Sequence, residues 1–327
     1  MLSKFSTAIV TGGSGFIGTH LINRIIQKKN IEIIYNIDLL PSKIDNKKII
    51  NIIQNIRNPI ELEIDKPAVL FHLAALSKEP GFKDKEYFNT NYFGTLNVIK
   101  FAENNFINNI IFTSTMMVYY PSDTRKIESD HVRPYTAYGQ SKLFAEKALI
   151  AWKDRNHSRY LSIIRPSVVF GKGDVGNYPR LFRLLKANRF VYVGRKSTIK
   201  SSVYIHELIN FIFFLLKQAD NRVLYNFSFP EKLTIEKINN TICDLFNFKK
   251  PNLMLPYGIL FVLANIFEWL NYFGMLKSEI HHRRIQKLFF STNIFPKAIL
   301  DNGYKFNYDF KSSIIHWKNS CDGQDLN

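Results

Sequence analysis

The chain has 327 residues, of which 46% are hydrophobic and 14% aromatic, enough to bury a substantial core in one large α/β domain with an appendage or in two modest domains. Lys and Arg outnumber Asp and Glu by 44 to 27, and the formal charge of +17 suits an anionic partner such as nucleic acid, anionic lipid or a phosphorylated substrate. Only two cysteines occur, Cys243 and Cys321, too far apart for a disulfide framework or a metal-ligand pair, and no apolar run reaches about 18 residues, so no membrane span and no metal are expected.

In chain order, "TAIV" (7–10) reads as a first strand. A turn follows so soon that the N-terminus does not read as a signal peptide. "VTGGSGFIG" (10–18) then opens a helical pattern near 16–29. Gly12 permits the tight turn, Gly15 lets the backbone approach a pyrophosphate on the helix N-terminus, and Gly18 allows close packing of helix on strand. Phe16 and Ile17 begin that helix. The next strand, "IEIIYNID" (31–38), ends at Asp38, 20 residues after Gly18. A carboxylate there accepts hydrogen bonds from the adenosine ribose and repels a 2′-phosphate, which favours NAD over NADP.

Strands "AVLFHLA" (68–74), "NIIFTST" (109–115) and "YLSIIRP" (160–166) alternate with helical stretches near 86–105 and 136–155. Such alternation predicts an α/β fold: a Rossmann-like, doubly wound parallel sheet. It occupies residues 1–170, and the chain is expected to return to it near 203–215. After Gly171 the alternation breaks down, and 171–327 reads as a smaller mixed substrate-binding region. His72 lies on a buried strand and reads as a core histidine.

"YGQSK" places Tyr138 and Lys142 four apart, on one face of a helix. A tyrosine hydroxyl with a pKa near ~10 is a poor base at neutral pH, and a neighbouring ammonium favours its phenolate. Tyr138 is therefore the candidate acid/base for a sugar hydroxyl while hydride leaves for a nicotinamide.

With "TGGSGFIG", "HLAA" (72–75), "NYFGTLN" (91–97), "FTSTMMVYY" (112–120), "YGQSK" and "RPSVVFG" (165–171), the chain resembles the extended short-chain dehydrogenase/reductase family, which includes nucleotide-sugar epimerases and dehydratases. The resemblance covers about residues 6–310. It implies that Tyr138 is the catalytic acid/base, that Lys142 holds the nicotinamide ribose, and that Thr115, rather than its neighbour Ser114, partners the tyrosine. It places Leu73, Ala74, Ala75 and Thr113 along the cofactor cleft. Asn91 supports the site from the facing helix, and Pro166 and Val168 face the carboxamide. The family's acidic pair beside the adenine appears here as "NIRN", so Asn55, with Ile56, is expected at the adenine. Met116-Met117 stands where dehydratases carry Asp-Glu, which removes the general acid for elimination and leaves Met116 with Thr115 on the substrate side.

Bound NAD suits an epimerase, which lends a hydride and takes it back; a soluble UDP-sugar (UDP-GlcNAc or UDP-Glc) 4-epimerase and an NAD(P)-dependent reductase of a 4-keto sugar are the alternative readings. From Arg180 to Lys200 there are seven basic residues and no acid. The resemblance assigns Lys200 to the substrate diphosphate and Asn177 to the same group. The late Arg-x-Gly-Asp segment of soluble UDP-sugar epimerases is missing. "LMLPYGILFVLANIFEWLNYFG" (253–274) predicts an apolar helix over 257–274, followed by the basic "HHRR" (281–284). It reads either as a helix buried in the small region or as one lying on an anionic bilayer. These features resemble a branch of epimerases acting on polyprenyl-diphosphate-linked sugars in bacterial surface-polysaccharide synthesis. They imply a cytoplasmic protein, peripheral on the inner face of the membrane and homodimeric through two helices. Binding to nucleic acid has only charge behind it and is not expected.

Overall fold

The computed structural model describes residues 4–217, 223–272, 282–321 and 326. The last two positions of the apolar helix expected over 257–274, and the first of the basic 281–284 run, lie outside the described residues. In chain order, β1 (Thr7–Thr11), α1 (Phe16–Ile26), β2 (Ile33–Asp38), β3 (Ile49–Ile53) and β4 (Ala68–His72) open the fold. α2 (Asp84–Tyr87), a π-helical turn (Phe88–Phe93) and α3 (Gly94–Asn104) follow as one uneven helix leading to β5 (Asn109–Thr113). A 3₁₀ turn (Met116–Val118) and β6 (Ser122–Lys126) precede α4 (Ala137–Asp154) and β7 (Tyr160–Pro166). The middle of the chain forms β8 (Val168–Phe170), α5 (Asn177–Lys186), β9 (Tyr192–Val193), β10 (Ser202–Tyr204), α6 (Ile205–Leu215), β11 (Leu224–Phe227) and α7 (Ile235–Phe246). The last part forms β12 (Met254–Leu255), α8 (Tyr257–Tyr272), α9 (His282–Phe289), β13 (Thr292–Ile294), α10 (Lys297–Asp301) and α11 (Phe310–Ser320).

Seven strands make one parallel sheet in the order β11-β7-β5-β4-β1-β2-β3. The five strands read from sequence are all in it. β3 and β11 were not foreseen. β3, "IINII", is a short edge strand with three of its five residues exposed or nearly so, and it lacks the continuous apolar run of a buried parallel strand. β11, "LYNF", carries a buried Asn226 that interrupts its apolar run. Core side chains fill both faces of the sheet. One layer gathers α1, α6, α7 and α11 with β1, β2 and β4, and the other gathers α3 and α4 with β4, β5 and β7.

β1 is flanked by β2 on one side and β4 on the other, so the winding direction reverses between β1 and β4. In open parallel sheets such a reversal leaves a crevice at the carboxyl ends of the strands, where ligands bind. Gly12 follows β1, Leu73 follows β4, Ser114 follows β5 and Pro166 ends β7, so four of the sequence-predicted segments converge on that edge. The later chain adds three two-stranded parallel pairs, β10 with β8, β12 with β9 and β13 with β6. The last of these brings residues 292–294 against Ser122–Lys126, a few residues downstream of Thr115.

Candidate active site

The glycine loop is shaped as the cofactor reading requires. Gly12 has φ +76, and a Cβ there would stand 2.6 Å from the Ala74 nitrogen. At Gly18 a Cβ would fall 2.3 Å from the Gly12 carbonyl oxygen, so helix and loop touch only because this residue has no side chain. Gly15 is the N-cap of α1 and supplies no side-chain hydrogen bond, which leaves the first amides, those of Phe16 and Ile17, turned to an open helix N-terminus. A Cβ on Gly15 would meet only the Gly12 carbonyl, at 3.3 Å. An uncapped N-terminus beside open space is a cradle for an anionic group.

Asp38, at the end of β2, ties this loop down. One carboxylate oxygen accepts from Ser14 N at 3.0 Å and the other from Leu39 N at 2.6 Å. Both oxygens keep acceptor capacity toward a ribose. Across the crevice, Leu73 N donates to Thr11 O at 3.0 Å and Thr113 Oγ1 to His72 O at 3.4 Å. Asn55 is held in a local turn by accepting from Arg57 N at 3.0 Å, and the Ile56 carbonyl accepts from Asn97 Nδ2 at 2.9 Å. These residues fit a dinucleotide laid from the glycine loop across the switch point.

Tyr138, Lys142 and Glu146 recur four apart on α4, and all three are buried. Thr136 caps the helix by accepting from Gly139 N, which fixes the first turn that carries Tyr138. Burial pushes the Tyr138 hydroxyl up to about 12, its hydrogen bond with Thr115 pulls the other way, and Tyr87 adds to the rise. Burial also drives Lys142 down to about 7, against the charge of Glu146, which favours the ammonium. The Lys142 Nζ stands 4.0 Å from the centroid of the Phe112 ring. Desolvation dominates both groups, and the hydrogen bond with Thr115 is the influence that lowers the phenol.

Asn91 sits in the π-helical turn, a distortion that turns a helix residue toward a site. Its side chain accepts from Leu76 N at 2.8 Å and donates to Leu76 O at 3.1 Å and to Ser141 Oγ at 3.0 Å. It thus clamps the loop after β4 to the residue beside Lys142. His72 is fully buried between Thr11 and Thr95, at 2.7 and 2.9 Å. Burial, with a smaller contribution from Lys142, lowers it to about 3, so it is neutral. Thr95 donates onward to the Asn91 carbonyl, which assigns the ring proton to Nε2 and makes His72 a structural link.

Sequence reasoning missed a second buried network behind the site. Arg165 Nε and Nη2 donate to the two Glu146 oxygens at 2.9 and 2.6 Å, and Ser114 Oγ donates to the first of them. Arg165 Nη1 reaches Tyr119 at 2.7 Å, and Tyr119 reaches Asn226 at 3.0 Å. Burial works against the Arg165 charge, but Glu146 and Tyr119 together outweigh it and raise the guanidinium further. Ser114 is therefore engaged by Glu146, while Thr115 is the hydroxyl at Tyr138. The signal was present, since Glu146 is the third residue of the Tyr138, Lys142 register.

The substrate side is less assembled. Beyond Thr115 a small pocket is lined by Met116, Met117, Tyr120, Lys126, Thr292 and Asn293. Asn177 begins α5 and is exposed. Pro166 ends β7, and Val168 N donates to Ser201 O at 3.2 Å. Lys200 does not offer an unengaged cation. Its ammonium donates to Phe290 O at 2.6 Å and to Lys287 O, at the C-terminal end of α9. Burial first, then Arg195 and Lys287, lower it to about 7. Lys287 in turn pairs with Glu79 at 3.0 Å and so fastens α9 to the loop after β4.

The model of the 3-beta hydroxysteroid dehydrogenase/isomerase family matches residues 9–220. The chain belongs to that family. It is an NAD-dependent, extended short-chain dehydrogenase/reductase family, and the Gly12 loop, Tyr138 and Lys142 all lie inside the matched residues. Among similar proteins is the N-acetyl-alpha-D-glucosaminyl-diphospho-ditrans,octacis-undecaprenol 4-epimerase of Escherichia coli O157:H7, 28% identical over 94% of this chain and 92% of that one. A UDP-glucose 4-epimerase of Vibrio cholerae is 28% identical over 84% of this chain and 88% of its own length. The solved ADP-L-glycero-D-manno-heptose-6-epimerase of Helicobacter pylori superposes with a TM-score of 0.74 over 98% of each chain, and at 18% identity it bears on the fold alone.

Proposed function

We propose that the protein is an NAD-dependent 4-epimerase that interconverts N-acetylglucosamine and N-acetylgalactosamine while the sugar is carried on a polyprenyl diphosphate, in the making of bacterial surface polysaccharide. The observation that carries this reading is the reach of the similarity to the Escherichia coli enzyme. The family model stops at residue 220, whereas that match spans 94% of the chain and so takes in the substrate side.

In the proposed reaction Tyr138 takes the proton of the C4 hydroxyl as the C4 hydrogen departs as hydride, leaving a 4-keto sugar. Held between the Gly12 loop and Lys142, oxidised nicotinamide would supply a reversible hydride acceptor and a positive charge that favours the phenolate. Thr115 holds the Tyr138 oxygen in place, and Lys142, buried one turn further along α4, is placed to hold the ribose. Asn91 keeps the facing loop at a fixed distance. Rotation of the keto sugar and return of the Tyr138 proton complete the cycle without net oxidation. The 171–327 region supplies the substrate side, with Met116 and Asn177 as its candidate contacts. Exposed Phe93, Leu96 and Phe144 on the π-helical turn, α3 and α4 support a dimer through these helices.

The similarity to the Vibrio cholerae UDP-glucose 4-epimerase favours a second reading, epimerisation of a soluble UDP-sugar. Purified protein is to be incubated with polyprenyl-diphospho-N-acetylglucosamine and with UDP-N-acetylglucosamine, without added reductant, and the sugar identified afterwards. Conversion of the lipid form alone is the expected result. Conversion of the UDP form alone establishes the second reading, and a strict need for added NADPH establishes a reductase instead.

A further inference from the structure

α8 presents two different faces. Tyr257 stacks on Phe289 of α9 at 4.4 Å between ring centroids, and Phe261 lies beside Tyr257 at 5.6 Å. That face is packed inward. On the opposite face Ile259, Val262, Ile266 and Trp269 recur at spacings of three, four and three residues, and each is between 48% and 59% exposed. Asn265, the polar residue beside them, turns its amide back to its own helix and donates to Phe261 O at 2.7 Å. Exposed Leu253 and Met254 lie just ahead of α8 in the chain, at the start of β12.

Single exposed hydrophobic residues are ordinary, but a contiguous apolar stripe marks an interaction surface. Ile259 to Trp269 covers about 15 Å of helix, too short to cross a bilayer and suited to lying within its surface. Among the described residues no helix is long and apolar enough to cross a membrane.

The surroundings indicate the partner's charge. The exposed Lys249 and Lys250, the latter paired with Asp244 at 2.8 Å, immediately precede the apolar surface in the chain. β12 is paired with β9, through Tyr192 N to Leu253 O at 2.9 Å, and β9 follows the exposed Lys186 and Arg189 at the end of α5. An apolar stripe flanked by cations, on a chain with a formal charge of +17, is complementary to a lipid surface with anionic headgroups. We infer that α8 and β12 dock the protein flat on an anionic bilayer, with Ile259, Val262, Ile266 and Trp269 inserted among the acyl chains. The inference deepens the lipid-linked reading and rests on it for why a membrane is met, but not for its test.

The test uses the full chain and substrate-free vesicles, so that membrane docking and epimerisation are read separately. Sedimentation is measured with phosphatidylcholine vesicles and with vesicles containing phosphatidylglycerol, at low and high salt. The wild type is expected to pellet with the anionic vesicles and to be released in part by salt. Ile259→Gln/Val262→Gln/Ile266→Gln should reduce the bound fraction about tenfold or more. Gln is a good helix former on an exposed face, so dinucleotide binding and melting temperature should remain near wild type. Lys249→Gln/Lys250→Gln should weaken binding to the anionic vesicles alone. A wild type that stays in the supernatant with both vesicles overturns the inference even if epimerisation of the lipid substrate is seen in detergent. Binding unchanged in the triple variant overturns it as well. So does a wild-type dimer or tetramer that dissociates in that variant by sedimentation velocity, because the stripe would then be covered by a second copy.

Discussion

On α4, Tyr138, Lys142 and Glu146 are shut away from water, although two of them are ionisable to full charges and the third has to lose a proton. On α8, Ile259, Val262 and Ile266 stand in water, although each is a residue that ordinarily forms cores. Both helices invert the usual rule, and the inversions have different consequences. The buried charges on α4 are costly and tolerated because Arg165, Ser114 and the Phe112 ring answer them. What they gain is a tyrosine and a lysine whose protonation is set by their surroundings, a common property of sites that do chemistry. The exposed residues on α8 have no such answer in the packed face of their own helix, and in the docking inferred above it comes from the acyl chains of a bilayer. Function is concentrated where the sequence placed residues against their transfer preference.

The comparison breaks first at Tyr138. Tyr138→Phe removes only the hydroxyl that accepts and returns a proton, so turnover should fall by about 10²–10⁴-fold. Dinucleotide affinity, measured by fluorescence or calorimetry, should stay within about threefold. Turnover near wild type would take Tyr138 out of the role assigned to it.

Glu146→Gln comes next. It leaves the Arg165 guanidinium, only 4% exposed, without its carboxylate. Breaking one partner of a buried pair typically costs about 3–5 kcal/mol, read as a shift of the urea midpoint. Glu146→Gln/Arg165→Met should recover part of that loss. The same residue type placed on α8, in Ile266→Gln, should change stability by no more than about 0.5 kcal/mol. If the two Gln variants were equally destabilised, the two helices would not differ in the way described.

Much of this was legible in the chain. The five core strands, the Gly12 loop and the helix carrying Tyr138 and Lys142 are local patterns, and parallel sheets write them as apolar runs between turns. β3 escaped because an edge strand is half wetted, and β11 because Asn226 is buried by partners far away in sequence, Tyr119 and the carbonyls of Lys126 and Phe295. The Glu146–Arg165 pair spans two elements: the α4 register marks Glu146, but nothing local marks Arg165 as its partner. The pKa shifts were hidden for a related reason. The spacing of Tyr138 and Lys142 is visible, but the loss of water around both is a property of the whole cleft. α8 was legible as apolar, and only the packing of Tyr257 on Phe289 decides which face looks outward.

Lys142→Met sharpens the α4 side through pH. Lys142 falls from its ordinary value of 10.5 to about 7 in the folded, dinucleotide-free protein. Below pH ~7 the folded state must hold a buried ammonium, which costs stability. Between pH ~7 and ~10.5 the unfolded chain binds more protons than the folded one, so this group's unfavourable contribution is relieved as pH rises. The Met variant should therefore be more stable than wild type at pH 6, by an amount on the order of 2–4 kcal/mol at most, and the gain should shrink toward pH 10. Its turnover should be lost. A stability difference independent of pH would show that the lysine is not held in the low-dielectric setting the structure gives it.

The smallest effect is expected at Lys200, where the resemblance and the structure assign different work. The family likeness gives its ammonium to a substrate diphosphate, whereas the structure has it closing the end of α9 on the carbonyls of Lys287 and Phe290. Lys200→Met removes two charge-assisted hydrogen bonds and leaves their acceptors unpaired, but it also removes the cost of burying a cation. The net loss should be about 1 kcal/mol, seen as a melting shift of a few degrees. α9 packs against α8 and is fastened to the loop after β4 by Lys287 and Glu79, so loosening it should also change how α8 is presented. The structural role predicts a lower melting temperature, an unchanged KM for the sugar diphosphate and weaker vesicle binding. A KM raised tenfold at wild-type melting temperature would return Lys200 to the diphosphate, and α9 would then open its C-terminal end when substrate arrives.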